Sequence, residues 1–293
     1  MNTVGFPGLG IGPISFYPYI TIFGLDIYWY GIIIAFGMIL ALVYAFLNAK
    51  KFGIDPDKIV DVAIIGLLGG IIGARLYYVV FNWSAFAGNP LSIFDIRSGG
   101  LAIYGGIIGA VICGGLTCRW RKVKFLPMLD IAGIGFLLGQ GIGRWGNFIN
   151  EEAYGCHTDL PWGMAGDKIP DAIAPVHPTF LYESIWCLIG FVLLAFYAKH
   201  RKFDGEVFLF YLMWYGFERF FVEGLRMDSL WLIPDVVRVS QLLSAILFIG
   251  AATLWIIMKR KMAKNPQRNF LYVHSEEWKK VIESKKKKAV KNK

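Results

Sequence analysis

Residues Tyr28–Leu47 read YWYGIIIAFGMILALVYAFL, twenty residues without a charged side chain. A helix rises about 1.5 Å per residue, so such a run matches the roughly 30 Å hydrocarbon core of a bilayer. Working outward, six more apolar runs of comparable length follow, at about 59–81, 101–118, 128–148, 180–198, 206–222 and 239–258. The expected fold is therefore all-α, a polytopic transmembrane helical bundle of about seven spans. Composition agrees: 56% of the chain is hydrophobic and 17% charged, where soluble domains carry about 25% charged residues. Phe16–Gly24 is apolar too, but it is short and contains Pro18, so an interfacial or re-entrant piece is expected there.

The cations give the orientation, because short cytoplasmic loops are enriched in Lys and Arg. Lys50, Lys51 and Lys58 follow the first run. Arg119, Arg121, Lys122 and Lys124 follow the third, and Lys199, Arg201 and Lys202 the fifth. With the thirteen Lys and Arg from Lys259 onward, twenty-three of thirty fall on one side. Arg97, Lys168, Arg226 and Arg238 make four on the other. The expectation is an outside N-terminus and a cytoplasmic C-terminus. No basic region precedes the first long apolar run, so a cleaved signal peptide is not expected.

The net charge of +9 does not point to nucleic acid, since it is concentrated just past the last apolar run. A basic tail beside a membrane is what anionic lipid attracts. The Lys285–Lys288 run is expected to be a solvated, partly disordered end. The domain reading is one transmembrane domain over 1–258, with an extracytoplasmic loop at about 150–178, and a basic cytoplasmic tail over 259–293. Four scattered cysteines (Cys113, Cys118, Cys156 and Cys187) make no disulfide framework and no zinc spacing. Glycines four residues apart, Gly66/Gly70, Gly69/Gly73, Gly105/Gly109 and Gly135/Gly139/Gly143, read as places where helix backbones approach closely.

Three cations remain inside or at the ends of apolar runs: Arg75, Arg144 and Arg219. Charges at such depth are costly and face a bundle interior or a wet cavity. They call for an anionic ligand or for acids from other spans, of which Asp61, Asp130, Glu183, Glu206 and Glu218 are available. Tyr215, Arg219, Glu223 and Arg226 lie at i, i+4, i+8 and i+11, one helical stripe. Arg144, Asn147 and Glu151 lie at i, i+3 and i+7, a second stripe if the helix continues. Both fall toward the same end of the bundle, so two polar faces at one depth can enclose one site. Arginine suits an anion there, because its planar fork pairs bidentately with phosphate and stays charged. The plainer reading is structural pairing, Arg219 with Glu223 or Arg144 with Glu151, and Arg75 reads equally well as structural.

At these residues the chain resembles the prolipoprotein diacylglyceryl transferase family. The stretches are GRWGNFINEEAYG (143–155), HPTFLYE (177–183), WYG (29–31), GARLYYV (73–79), GGLAIYGG (99–106) and YGFERFFVE (215–223), in order along most of the chain. The resemblance implies transfer of the diacylglyceryl group of phosphatidylglycerol to the lipobox cysteine thiol of a prolipoprotein. A thioether forms and glycerol 1-phosphate leaves. It implies no metal, no diffusible cofactor and no nucleic-acid partner; the partners are phosphatidylglycerol, the prolipoprotein signal peptide and membrane lipids. The setting is a bacterial cell membrane, crossed several times, with the active site toward the extracytoplasmic side. By motif position Arg144 and Arg219 handle the phosphate, with Glu151 and Tyr104 beside them as catalytic candidates. Tyr30, Arg75, Asn147, Asn150, Tyr215, Glu223 and His177 are candidates for binding substrate, and Gly155 for a backbone requirement in the loop. Many members of the family read His-Gly-Gly where this chain has Tyr104-Gly105-Gly106. A tyrosine is a poor base at neutral pH. Either the arginines shift Tyr104, or it positions substrate, or their field alone makes thiolate; positioning is the preferred reading. His177 is a further candidate base, though His177-Pro178 reads at least as readily as a structural corner. Competing classes are a transporter for an anionic solute and a membrane protein that binds lipid headgroups without chemistry.

Overall fold

A computed structural model describes residues 1–96, 99–171 and 173–291, the last seven as backbone. All seven apolar runs are helices: α1 (Trp29–Asn48), α2 (Pro56–Phe81), α4 (Ile103–Trp120), α5 (Phe125–Asn150), α6 (Thr179–Tyr197), α7 (Glu206–Leu225) and α8 (Val239–Lys264). The short α3 (Trp83–Phe86) follows α2, and α9 (Glu276–Lys291) lies in the tail. Six of these helices are long and apolar enough to cross a membrane: α1, α2, α4, α5, α6 and α8. The chain is a polytopic helical membrane protein. α7 is as long as α1, yet it carries Glu206, Glu218, Arg219 and Glu223 and stands outside that group.

The chain forms two compact units, Met1–Tyr44 with Asp130–Phe270, and Ala45–Leu129 with the segment from Leu271 onward. In the first, α5 is the central post, and its glycines are spaced to receive different neighbours. Gly139 and Gly135 lie against Gly37 and Ala41 of α1, Gly133 against Tyr211 of α7, and Gly141 against Leu188 of α6. α6 and α7 are clasped by two stacked indoles: Trp186 Nε1 donates to the Trp214 carbonyl and Trp214 Nε1 to the Trp186 carbonyl, each at 3.0 Å. In lipid, where apolar surface gives helices little reason to associate, such close backbones and cross-helix hydrogen bonds carry the packing.

Strands cap this unit. β1 (Asn2–Phe6) lies between β2 (Ile11–Phe16) and β5 (Ala165–Gly166), and β5 belongs to the long loop after α5. Val4, Met164, Ile169, Val176 and Phe180 form a buried core there, so the loop is folded. The piece expected to be interfacial or re-entrant is extended: the end of β2, then a hairpin of β3 (Tyr19–Ile22) and β4 (Leu25–Tyr28) with an exposed tip at Phe23. A second hairpin, β6 (Trp231–Ile233) with β7 (Val237–Arg238), precedes α8.

In the second unit α2 and α4 run antiparallel. Gly69 and Gly73 meet Gly109 and Gly105 so closely that an added Cβ would strike the opposing backbone, as the four-residue spacing predicted. The tail meets the basic connections within each unit. The Asp204 N–H, after α6, donates to the Phe270 carbonyl at 3.1 Å. Tyr272 and Val273 pack at Gly53, after α1, and Glu277 pairs with Lys124, after α4, at 3.0 Å. The tail is thus helical and docked in its first part rather than a free end. The side chains of Lys285–Lys288, and Arg97 of the opposite loop, lie outside the described residues.

Candidate active site

The site grows from the ends of three helices of the first unit. α5 brings Arg144 in its last two turns, α6 brings Glu183 in its first turn or so, and α7 brings Arg219 and Glu223. Glu183 is the hub. Its Oε2 pairs with Arg144 Nη2, while Oε1 lies 3.3 Å from Arg219 Nη1 and 3.8 Å from Arg226 Nη1. Arg219 reaches back along its own helix to Glu223 at 2.5 Å. The stripe on α7 is therefore real, and Arg226, one residue past the helix end, joins it. Arg226 also forks onto Asp228, its Nε and Nη2 donating at 2.9 and 2.8 Å. Those bonds hold the Asp228 carboxyl below the usual carboxylate range.

The arginines were expected to want an anionic ligand or acids from other spans, and Glu183 is such an acid. Three guanidiniums converge on one carboxylate whose side chain is 2% exposed. Arg144 is the most open of them, at 22%. Glu218 is buried within the electrostatic reach of Glu183, Arg144 and Arg219, and neither of its carboxylate oxygens has a hydrogen-bond partner among the described residues.

Arg144 Nη1 touches Asn147 Oδ1 at 3.4 Å, and Asn147 Nδ2 donates to Glu152 at 2.9 Å. Asn150 Nδ2 donates to the same Glu152 oxygen at 3.4 Å. The second stripe is thus corrected at its end. α5 stops at Asn150 and Glu151 turns into the left-handed region (φ 54°), so the helix does not continue to carry Glu151 onto the face of Arg144 and Asn147. Glu151 is buried, and its Oε2 accepts the Lys168 N–H at 2.8 Å. The structural pair Arg144 with Glu151 is replaced by Arg144 with Glu183.

Tyr30 lies against Gly146, where a Cβ would come within 2.7 Å of its ring, so only glycine lets the tyrosine reach this side of α5. Tyr215 stacks on Tyr211 and lies in the field of Arg219 and Arg144. Gly155 is needed for close approach: an added Cβ would meet His177 Cβ at 2.8 Å and the Leu225 carbonyl at 3.2 Å. There the loop bridges to Arg226, and the Cys156 N–H donates to the Leu225 carbonyl at 2.7 Å. The loop after α5 is in this way fastened beside the arginines. His177 is a corner of that loop. Its main chain pairs with Gly155 and Cys156, and Nδ1 lies 3.1 Å from Tyr182 Oη. Burial first, then the neighbouring His157, lowers its pKa from 6.5, which favours the neutral ring.

Arg75 and Tyr104 belong to the second unit. All five Arg75 N–H groups are engaged by main-chain carbonyls, those of Ser92, Ile93, Asp95, Gly99 and Gly100, at 2.7–3.0 Å. This arginine holds the loop between α3 and α4 and has no donor left over for a phosphate, which is the structural reading of the pair left open. Tyr104 stands half-buried in the first turn of α4, next to the Gly105 that meets Gly73. Sequence reasoning missed Glu152 as the acid that joins the asparagines, and it left Glu183 as one acid among five.

The family model of prolipoprotein diacylglyceryl transferases matches residues 18–257. A phosphatidylglycerol–prolipoprotein diacylglyceryl transferase of Clostridioides difficile is 46% identical over 84% of this chain and 96% of its own. Those of Finegoldia magna and Enterococcus faecalis are 48% and 43% identical, over 85% and 90% of this chain and 98% and 96% of theirs. With a match of that extent, and with relatives sharing nearly half their residues along almost their whole length, the chain belongs to the prolipoprotein diacylglyceryl transferase family.

Proposed function

We propose that this protein transfers the diacylglyceryl group of phosphatidylglycerol to the lipobox cysteine thiol of prolipoproteins. The S–C bond forms as the C–O bond to phosphate breaks, and the thiol proton ends on the released glycerol 1-phosphate. The observation that carries the reading is the convergence of Arg144, Arg219 and Arg226 on the single Glu183 carboxylate. A set of guanidiniums already aimed at one anion needs little reorganisation to receive the phosphate whose charge grows as the ester bond breaks. Glu183 then serves as the resident counter-anion that holds the forks in place between turnovers. The same positive field favours thiolate on the incoming cysteine.

In this reading α7 is the seventh crossing, its charges satisfied within the bundle rather than facing lipid. The N-terminus is outside, the C-terminus is cytoplasmic, and the protein lies in the bacterial cell membrane. The C-terminal ends of α5 and α7 and the N-terminal end of α6, which carry the arginines and Glu183, then face the extracytoplasmic side. Asn147 and Asn150, tied through Glu152, and Tyr30 and Tyr215 line or support the phosphate position. Glu151, Glu223 and His177 hold the shape of the site.

The test is a lipobox peptide in phosphatidylglycerol vesicles, with the product sought by mass spectrometry. The wild-type chain yields a diacylglyceryl thioether, and Arg144→Ala or Arg219→Ala abolishes it. Near-normal transfer by both variants would overturn the site. Anion flux without covalent product, or lipid binding without it, would overturn the reaction.

A further inference from the structure

The tail is fastened to the membrane helices by specific contacts. Gly53, with φ 73°, leaves room for Tyr272 where a Cβ would sit 2.9 Å from its ring. Lys124 Nζ stands 5.1 Å from the Tyr272 ring centre and pairs with Glu277. Trp278 is 7% exposed and packs on Tyr272, while its N–H takes the Ser275 hydroxyl oxygen at 3.2 Å, closing the first turn of α9. These contacts tie α9 to the connections after α1 and α4, where the membrane helices α2 and α4 end. A helix that spans the hydrocarbon core ends in the headgroup layer.

Exposed cations gather on this end of the second unit: Lys50, Lys51, Arg119, Lys122, Lys279 and Lys280. Three of the acids nearby are already engaged, Asp61 by Arg121 at 2.6 Å, Glu276 by Lys279 at 2.7 Å and Glu277 by Lys124; Asp57 and Glu283 are exposed. Past Glu283 the sequence holds six lysines and no acid. Ile282 is exposed one turn beyond the buried Trp278.

We propose that α9 and these two connections form a docking surface for the anionic phospholipid headgroups of the adjoining leaflet, with α9 lying along the bilayer surface and Ile282 entering it. Charge complementarity selects the occupant. Basic residues next to an anionic leaflet each add to the attraction, which fades within a Debye length. A helix already held at its first turn meets that leaflet at high effective concentration, so weak single contacts add up. This surface is independent of the transfer reaction.

The test uses the full chain with Cys156→Ser and Ile282→Cys, the new thiol carrying a polarity-sensitive fluorophore, in nanodiscs of phosphatidylcholine with or without phosphatidylglycerol. The expected result is a blue shift and protection from an aqueous quencher only when phosphatidylglycerol is present. Both are lost at about 1 M salt, where the Debye length is about 3 Å, and in Lys279→Glu/Lys280→Glu. Because the two lipid mixtures are compared on one and the same protein, the result does not depend on how the charge-reversed variant folds. Identical emission in both lipids, or protection untouched by salt, would overturn the proposal, the latter pointing to packing against protein.

Discussion

Replacing Glu183 by glutamine keeps the shape of the hub and removes its charge. At an effective dielectric near 20, unit charges at the 3.3 and 3.8 Å separations of Arg219 and Arg226 attract by about 5 and 4 kcal/mol. Desolvation opposes most of that, and removing one partner of a buried pair costs about 3–5 kcal/mol because the other is left enclosed and unmatched. The loss is uneven. Arg219 keeps Glu223, and Arg226 keeps Asp228. Among the described residues Arg144 keeps only the Asn147 amide oxygen, at 3.4 Å. The expected cost therefore sits near 3 kcal/mol and falls on Arg144. At about 2–4 °C per kcal/mol for a chain of this size class, the apparent melting midpoint drops by roughly 6–12 °C. Thermal unfolding of the protein in nanodiscs, followed by tryptophan emission, reads this directly. Glu223→Gln is the control; it leaves Arg144 untouched and lowers the midpoint less. Lipid transfer by Glu183→Gln also falls, because Arg144 loses its aim. A Glu183→Gln protein that melts within about 2 °C of wild type, inside the range of ordinary surface changes, would refute the view of Glu183 as the hub.

Gly146→Ala drives a methyl group into the Tyr30 ring and lowers stability by about 1–3 kcal/mol; adding Tyr30→Ala recovers part of that stability, as a double-mutant cycle shows. Arg75→Lys keeps the charge but offers three donors where five are used, so limited proteolysis cuts the loop between α3 and α4 faster. His177 has a lowered pKa in the fold, so as pH falls below its ordinary value of 6.5 the unfolded chain takes up the proton first and stability is lost. The melting midpoint of wild type therefore drops between pH 7.5 and 5.5, and that of His177→Gln drops less, the pH values being chosen about one unit either side of the ordinary histidine value.

The helices were legible because lipid demands long apolar runs, and each predicted run agrees with a helix to within three residues at its ends, except that α8 continues six residues past 258, to Lys264. α7 was legible as a polar stripe for the same reason: a charge in an apolar run must face somewhere. Its partner was not. Spacing along a chain shows which residues share a helix face, as Arg219 and Glu223 do, but Glu183 meets them from another helix, thirty-six residues away from Arg219. Glu151 and Glu152 differ by one position, and a single left-handed residue at the end of α5 decides which acid reaches the asparagines. The strands escaped notice because each has six residues or fewer and the two residues of β5 sit inside a loop. Arg75 stayed open between a ligand and a structural role because its acceptors are carbonyls, which every residue supplies and no sequence marks.

The pairing of β1 with β5 joins Val4 to Gly166. It also buries Asn2, whose side-chain amide donates to the Ile149 carbonyl at 2.7 Å. The residues of β1 thus find their β5 partner only after α1, α2, α4 and α5 have been synthesised. Closing a loop that long is entropically expensive and comes late. Until then the segment that precedes α1 has to wait unpaired, on the side of the membrane where the loop after α5 will emerge. The order of synthesis therefore sets the earliest moment of assembly here: the cap cannot close before α5 is made, and Glu183 and Arg219 arrive later still, on α6 and α7.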